Sequence, residues 1–144
     1  MKITVLVSRC LLGKTCRWNG KRLEDKRLVI PKEAGVILVC PEMGGGLACP
    51  RAAAEIVSGD GFDVLDGKSS VINTEGQDVT DNYLRGAQSA LNTALREGAT
   101  IAYLKNNSPS CGTLNIYRNN QKITGAGVTA ALFKRHGIKL ESIE

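Results

Sequence analysis

The sequence predicts an α/β fold, a single three-layer domain with a mostly parallel central sheet and a peripheral β-hairpin. Apolar, β-branched segments at residues 2–7, 35–40 and 99–104 predict three buried strands. Each segment runs into a polar or glycine-containing loop, and helical patterns lie between them, as in parallel sheets. The 144 residues suffice for one hydrophobic core, so we expect one domain over residues 1–144.

Shorter elements are predicted around these strands. Residues 23–32 favour a crossover helix between the first two strands. Proline at position 50 followed by alanines predicts a short helix over residues 51–57, which Gly59 and Gly61 would end. The segment 62–74, with Asp66-Gly67 as its turn, predicts the peripheral hairpin.

The second half of the chain contains the clearest helix signal. Thr80 or Asp78 would cap this helix, and Gly98 would end it. Its apolar positions fall on one face: Tyr83, Ala87, Leu91, Ala94 and Leu95. A polar excursion over residues 115–124, a helix over residues 128–136 and a strand over residues 138–140 complete the predicted fold.

Composition narrows the class of protein. A hydrophobic content of 42%, a charged content of 23% and the lack of a long apolar run favour a soluble globular protein without a membrane span. The first residues lack an export signal, so we expect a cytoplasmic protein, as a monomer or a homodimer. The net charge is +5, and basic residues gather between Lys14 and Arg27, which could hold a nucleotide phosphate or RNA or could simply be a basic surface.

The cysteines carry the strongest functional signal. Five cysteines without an export signal argue for ligands or nucleophiles rather than disulfides. Cys10, Cys40 and Cys111 follow predicted parallel strands, whose carboxyl ends form the ligand-binding edge of an open sheet. Cys16 is close enough in sequence to supply a fourth sulfur. Buried structural thiols are the alternative, but glycine, proline and serine surround these cysteines where apolar residues would be expected.

The type of metal follows from the residues available. No C-x-x-C knuckle is present, and the single histidine, His136, lies at a predicted helix end, so a zinc site is disfavoured but stays open. Scattered sulfur ligands favour an iron–sulfur cluster. If three cysteines bind a four-iron cluster, one iron keeps an exchangeable position that suits catalysis.

Without a suitably placed histidine, acid–base work must come from other groups. Glu42 follows Cys40 closely and is the best-placed carboxylate. Ser108 and Ser110 bracket Pro109 beside Cys111, where they could orient water or substrate or could serve the turn alone.

The backbone of Gly45 and Gly46 could approach a ligand closely. Arg51 could contact the substrate or could pair with Glu55.

Six ordered segments of the chain resemble a family of short bacterial proteins whose characterised members are thiouracil desulfidases. The segments are residues 8–13, 16–20, 40–47, 50–56, 105–112 and 127–132. Three positions depart from the family pattern: Trp18-Asn19 stands where Tyr-Asp is expected, and Cys49 stands where threonine is expected, which indicates an incidental cysteine.

The resemblance implies a [4Fe-4S] cluster on three protein cysteines and a non-redox conversion of a thiolated pyrimidine to uracil and sulfide. It also implies that Glu42 and Ser108 have the acid–base and assisting roles, and that Cys111 is a cluster ligand. Two of Cys10, Cys16 and Cys40 complete the set, and the strand-end argument favours Cys10 and Cys40. The rival hypotheses are a desulfidase for thiolated nucleotides or transfer RNA, and a zinc or iron–sulfur sensor without turnover.

Overall fold

The computed structural model describes residues 3–8, 34–48 and 52–143. Within these ranges, eight strands and four helices follow one another along the chain. They are β1 (Thr4–Ser8), β2 (Gly35–Val39), α1 (Pro41–Gly44), β3 (Ala54–Ile56), α2 (Gly61–Leu65), β4 (Val71–Asn73), α3 (Thr80–Glu97), β5 (Ile101–Lys105), β6 (Asn115–Arg118), β7 (Gln121–Thr124), α4 (Val128–Arg135) and β8 (Lys139–Ile143).

The central sheet confirms the predicted α/β class. Its strand order is β2-β1-β5-β8, and every neighbouring pair is parallel. The chain passes from β1 to β2 on one side and later returns to β5 on the other side of β1. The carboxyl ends of β1 and β5 therefore flank a topological switch point, which is where open parallel sheets bind ligands.

Helices α3 and α4 cover one face of this sheet. Leu6, Ala102 and Leu104 point from the strands into a core that includes Leu91 of α3 and Phe133 of α4. On the opposite face Val5 and Val7 are fully buried. The crossover helix predicted over residues 23–32, which would complete the third layer, lies outside the described residues.

Helix α3 follows its predicted pattern except at its N-cap and at Leu95. The N-cap residue is Val79, which makes no side-chain cap, rather than Thr80 or Asp78, and the Thr80 hydroxyl accepts from the Val71 N–H instead. Gly98 ends the helix at a φ of 73°, a left-handed conformation that glycine adopts without a side-chain clash. Its buried side includes Tyr83, Ala87, Leu91 and Ala94. The prediction for Leu95 is wrong: this residue is 57% exposed, because it lies one position beyond the buried stripe.

Two predicted elements before α3 are wrong. The helix over residues 51–57 is replaced in its described part by strand β3, which pairs antiparallel with β4. The alanines favour a helix locally, but pairing with β4 overrides that propensity. The segment 62–74 is not a hairpin either. Its first residues form α2, where Asp60 and Asp63 make a reciprocal capping box at the helix start.

The peripheral hairpin is instead β6–β7, in the segment read from sequence as a polar excursion. Asn119 and Asn120 form its turn with φ values of 51° and 61°, the backbone conformation that two-residue hairpin turns favour. Arg118 Nε donates to the Ile56 carbonyl at 2.8 Å, and the Asn119 N–H donates to the Glu55 carboxylate. These contacts tie the β6–β7 hairpin to β3.

Helices long and apolar enough to cross a membrane do not occur in residues 3–8, 34–48 and 52–143.

Candidate active site

A cavity of about 720 Å³ opens at the carboxyl ends of β1, β2 and β5. The two-stranded sheets β3–β4 and β6–β7 contribute residues to its lining. Its described lining is Ser8, Val39, Cys40, Pro41, Glu42, Ala53, Ala54, Glu55, Ile72, Asn73, Thr74, Tyr83, Lys105, Asn106, Asn107, Ser108, Pro109, Cys111, Tyr117 and Asn120. The volume is that of an ordinary small-molecule site.

Cys111 lies at the switch point between β1 and β5. Its side chain is 6% exposed, and the hydroxyl of Ser8, the last residue of β1, donates to its Sγ at 3.6 Å. Burial raises the pKa of the Cys111 thiol to about 12, although the Ser8 hydrogen bond opposes the shift, and the charges of Glu42 and Cys40 raise it further. The thiol is therefore protonated at neutral pH unless a cation replaces the proton.

Cys40 enters the same cavity from the end of β2. It is partly buried and stands directly before the one-turn helix α1, in extended conformation. Pro41 occupies the first position of that helix, where its fixed φ and missing N–H are tolerated. The abrupt change from strand to helix brings Cys40 and Glu42 to one wall.

Helix α1 is docked closely on α3. Asn82 Nδ2 donates to the Gly45 carbonyl at 2.8 Å. A Cβ on Gly86 would stand 1.8 Å from the Pro41 oxygen, and one on Gly45 would stand 1.8 Å from the Asn82 oxygen. The two glycines thus permit a backbone approach that fixes α1, and with it Glu42, on α3.

We expect Gly86→Ala to lower the free energy of unfolding by about 2 kcal/mol or more, because the backbone clash outweighs the helix propensity that alanine gains. Gly44→Ala is the matched control in α1, since a Cβ there meets nothing within 4 Å. Urea unfolding of both variants measures the difference. Equal midpoints for the two variants would contradict the close docking of α1 on α3.

Ser108 links the Cys111 loop to Glu42. Its Oγ accepts hydrogen bonds from the N–H groups of Ser110 and Cys111 at 3.0 and 3.1 Å. The hydroxyl proton is then directed to Glu42 Oε1, at 3.4 Å. The other carboxylate oxygen, Oε2, accepts a hydrogen bond from the hydroxyl of Tyr83 at 3.0 Å.

The loop that carries Ser108 and Cys111 is anchored at both ends. The side-chain oxygen of Asn106, which is 1% exposed, accepts from the N–H groups of Thr113, Leu114 and Asn115 at 3.1 Å. In the middle of the loop, carbonyls of Pro109 and Ser110 accept N–H groups from the first turn of α4. Gly127 allows this contact, since a Cβ there would stand 2.5 Å from the Ser110 backbone.

Comparison with known proteins decides the family. The sequence pattern of the 2-thiouracil desulfurase family matches residues 5–144. The chain belongs to this family. Membership makes it an enzyme of the thiouracil-desulfurating kind and confirms the resemblance seen in the sequence.

Two individual proteins illustrate the relationship. The chain is 42% identical over 142 residues to a Bacillus subtilis (strain 168) protein described as the uncharacterized protein YbbK, with 96% of this chain and 94% of the relative covered. Its fold matches the solved structure of the [4Fe-4S]-dependent thiouracil desulfidase TudS with a TM-score of 0.82 and 34% identity, covering 98% of this chain and 91% of that one.

In this member of the family, four of the residues singled out from sequence meet at the cavity: Cys40, Glu42, Ser108 and Cys111. Ser110 does not line it. Its side chain is buried, and its hydroxyl lies 2.7 Å from that of Thr129 in α4. Gly45 and Gly46 are also absent from the lining, and their N–H groups donate to carbonyls of α1. Cys10, Cys16 and Arg51 lie outside the described residues, as do Cys49 and the basic residues 14–27.

Tyr83 is the site residue that sequence reasoning missed. Its position on the apolar stripe of α3 indicated a core residue, and the ring is indeed buried at 2% exposure. Only its partner on a distant segment, Glu42, reveals the second role of its hydroxyl. Helical periodicity contains no signal for that contact.

The donor chemistry of the cavity fits an iron–sulfur cluster. The two described thiols there, Cys40 and Cys111, are soft ligands, and His136 caps the far end of α4. The described residues contain no group of three or more histidine, cysteine, aspartate or glutamate side chains suited to a metal ion. The other three thiols of the chain, Cys10, Cys16 and Cys49, lie outside the described residues.

Proposed function

We propose that this protein catalyses the non-redox desulfuration of thiolated pyrimidines, 2-thiouracil or 4-thiouracil, with water, giving uracil and hydrogen sulfide. The observation that carries the proposal is the meeting of Cys40, Cys111, Glu42 and Ser108 on one cavity at the switch point of the sheet. Family membership and the [4Fe-4S] dependence of the structurally similar TudS support the reaction and the cofactor.

We propose Cys10 as the third cluster ligand beside Cys40 and Cys111, with Cys16 as the alternative. Ser8 lies on the cavity and touches Cys111, and Cys10 follows it by two residues, a reach of at most about 7 Å. Strand β1 lies between β2 and β5, so a ligand after β1 complements those after the flanking strands.

A [4Fe-4S] cluster held by these three cysteines would supply a Lewis acid for the soft sulfur of the substrate. Cys111 would bind it as the thiolate, having lost its proton.

The acid–base work in this proposal falls to Glu42. Its carboxylate takes a proton from the water that attacks the thiocarbonyl carbon and returns it to the sulfur. As the carbon–sulfur bond breaks, the carboxylate takes the second proton from the new hydroxyl group, which becomes the carbonyl, and passes it to the departing sulfur. The balance is one water consumed and one hydrogen sulfide released. The Ser108 oxygen is fixed by two backbone N–H groups, so its hydroxyl is held toward Glu42 and the cavity. In this proposal the single hydroxyl proton, given to Glu42 Oε1 in the structure, turns to the water or to the pyrimidine edge when substrate binds.

A second candidate substrate is a thiolated nucleotide or transfer RNA. The basic residues between Lys14 and Arg27 favour it, because they could hold phosphate groups.

The test is anaerobic purification, iron and acid-labile sulfide analysis, and a sulfide-release assay on 2-thiouracil, 4-thiouracil and the corresponding nucleotides. We expect about four irons per chain and sulfide release that depends on them. If protein that contains the cluster releases no sulfide from any of these substrates, the proposed enzymatic function is contradicted and the sensor hypothesis is favoured. Higher kcat/KM for nucleotides, lost as salt rises, would favour the second substrate class.

A further inference from the structure

We infer that Tyr83 is a positioning residue that holds the carboxylate of Glu42 in one orientation for proton transfer. Tyr83 belongs to α3, and its hydroxyl donates to Glu42 Oε2 at 3.0 Å. The ring is 2% exposed, yet the residue lines the same cavity as Cys40 and Cys111. The inference rests on the proposed function, because it presupposes that Glu42 moves the proton.

The two oxygens of Glu42 are held from different parts of the chain. Ser108, in the loop after β5, donates to Oε1, whereas Tyr83 donates to Oε2. A glutamate has three side-chain torsions, so a carboxylate on a one-turn helix could otherwise adopt several orientations. Hydrogen bonds to both oxygens fix the plane of the carboxylate as well as its position.

The rigidity of α3 makes Tyr83 suitable for this role. Its ring packs in a buried cluster with Ile56, Val71 and Ala87. The same turn of α3 also holds the backbone of α1, through the 2.8 Å hydrogen bond from Asn82 to Gly45 and the close approach of Gly86 to Pro41. Helix α3 thus holds both the backbone and the carboxylate of Glu42. This matters because small misplacements of a catalytic group reduce rates strongly.

A purely structural explanation is that the carboxylate only accepts the hydrogen bond that a buried tyrosine hydroxyl needs to make. Under that explanation, removal of the hydroxyl changes stability and leaves turnover by the folded, loaded enzyme intact. Under the positioning role, turnover falls while substrate binding persists. The two explanations therefore differ in kcat, which falls under the positioning role and keeps its wild-type value under the structural explanation.

The experiment compares Tyr83→Phe with Tyr103→Phe as a matched control. Tyr103 lies in β5 and packs on the opposite face of the sheet, against Val5 and Val7, and it does not line the cavity. For each full-length protein, iron content, kcat and KM are measured. In parallel, carbon NMR on protein labelled at the glutamate carboxyl carbons follows Glu42, whose signal is assigned by its loss in Glu42→Gln.

We expect Tyr83→Phe to lower kcat roughly tenfold, with KM and iron content unchanged, and to shift the Glu42 carboxyl signal. Tyr103→Phe should change none of these. Wild-type kcat in Tyr83→Phe, or a lowered kcat with an unshifted Glu42 signal, would overturn the inference. If the loaded wild-type protein releases no sulfide, the proposed function fails. The NMR result then still decides whether Tyr83 orients the carboxylate, because it needs no turnover.

Discussion

Glu42→Gln is expected to reduce kcat for sulfide release by about a hundredfold or more while the protein retains its iron. Glutamine preserves the size of the side chain and can still accept from Tyr83 or Ser108, but it cannot take a proton from water. The measurement is steady-state sulfide release by anaerobically purified protein whose iron content has been determined. Normal loading with lost turnover would place Glu42 in the chemistry rather than in cluster binding.

Glu97→Gln is the matched control for this substitution. Glu97 is the last residue of α3, and its partner is the exposed Arg96. It should show wild-type kcat, since surface ion pairs of this kind contribute little. A Glu42→Gln variant as active as Glu97→Gln would exclude Glu42 as the general base and direct the search to another group on the cavity.

Cys111→Ser is expected to lose most of the cluster iron and, with it, sulfide release. The serine oxygen is a harder and less readily deprotonated ligand than a thiolate. The fold should persist, because the hydroxyls of Ser8 and Ser110 lie within 3.6 and 3.9 Å of the substituted sulfur and offer hydrogen bonds to the new hydroxyl. Iron analysis and circular dichroism of the same preparation separate loss of ligand from loss of structure.

Cys49→Ser provides the matched control for the cysteine substitution, because the sequence indicates an incidental cysteine there. It should keep wild-type iron content and activity. Full iron in folded Cys111→Ser would contradict the assignment of Cys111 as a ligand. Cys40→Ser should behave as Cys111→Ser does, since both thiols line the cavity at the carboxyl edge of the sheet.

The family itself could be predicted from sequence, since its motifs occur in order along the chain and residues 5–144 match the family pattern. The parallel strands could also be predicted. Apolar, β-branched runs such as residues 35–39 have few alternatives to a buried strand, and the ligand-binding edge of a parallel sheet then follows from topology. This is why Cys40 and Cys111, 71 positions apart, could be assigned to one site before their cavity was seen.

Local signals were misleading where pairing partners decide the conformation. Ala54 and Glu55 have good helix propensity, yet they form a strand because β4 and the β6–β7 hairpin supply hydrogen bonds to them. The capping box of Asp60 and Asp63 competes with a hairpin turn at Asp66-Gly67, and the helix prevails. The local pattern of a single sequence carries no information about these distant partners.

By itself, the sequence determined the α/β class, the family and the residue types available for the chemistry, because hydrophobic periodicity, motif order and the scarcity of histidine are properties of the chain. Only the tertiary structure decided which of these residues share the cavity. In the folded chain the Tyr83 hydroxyl donates to Glu42, and the Ser8 hydroxyl donates to Cys111. Ser110, Gly45 and Gly46 make supporting contacts outside the cavity lining. The physical reason is that a hydrogen bond or a close backbone approach forms only when two segments, far apart in sequence, are positioned to within a few tenths of an ångström. Packing sets that position.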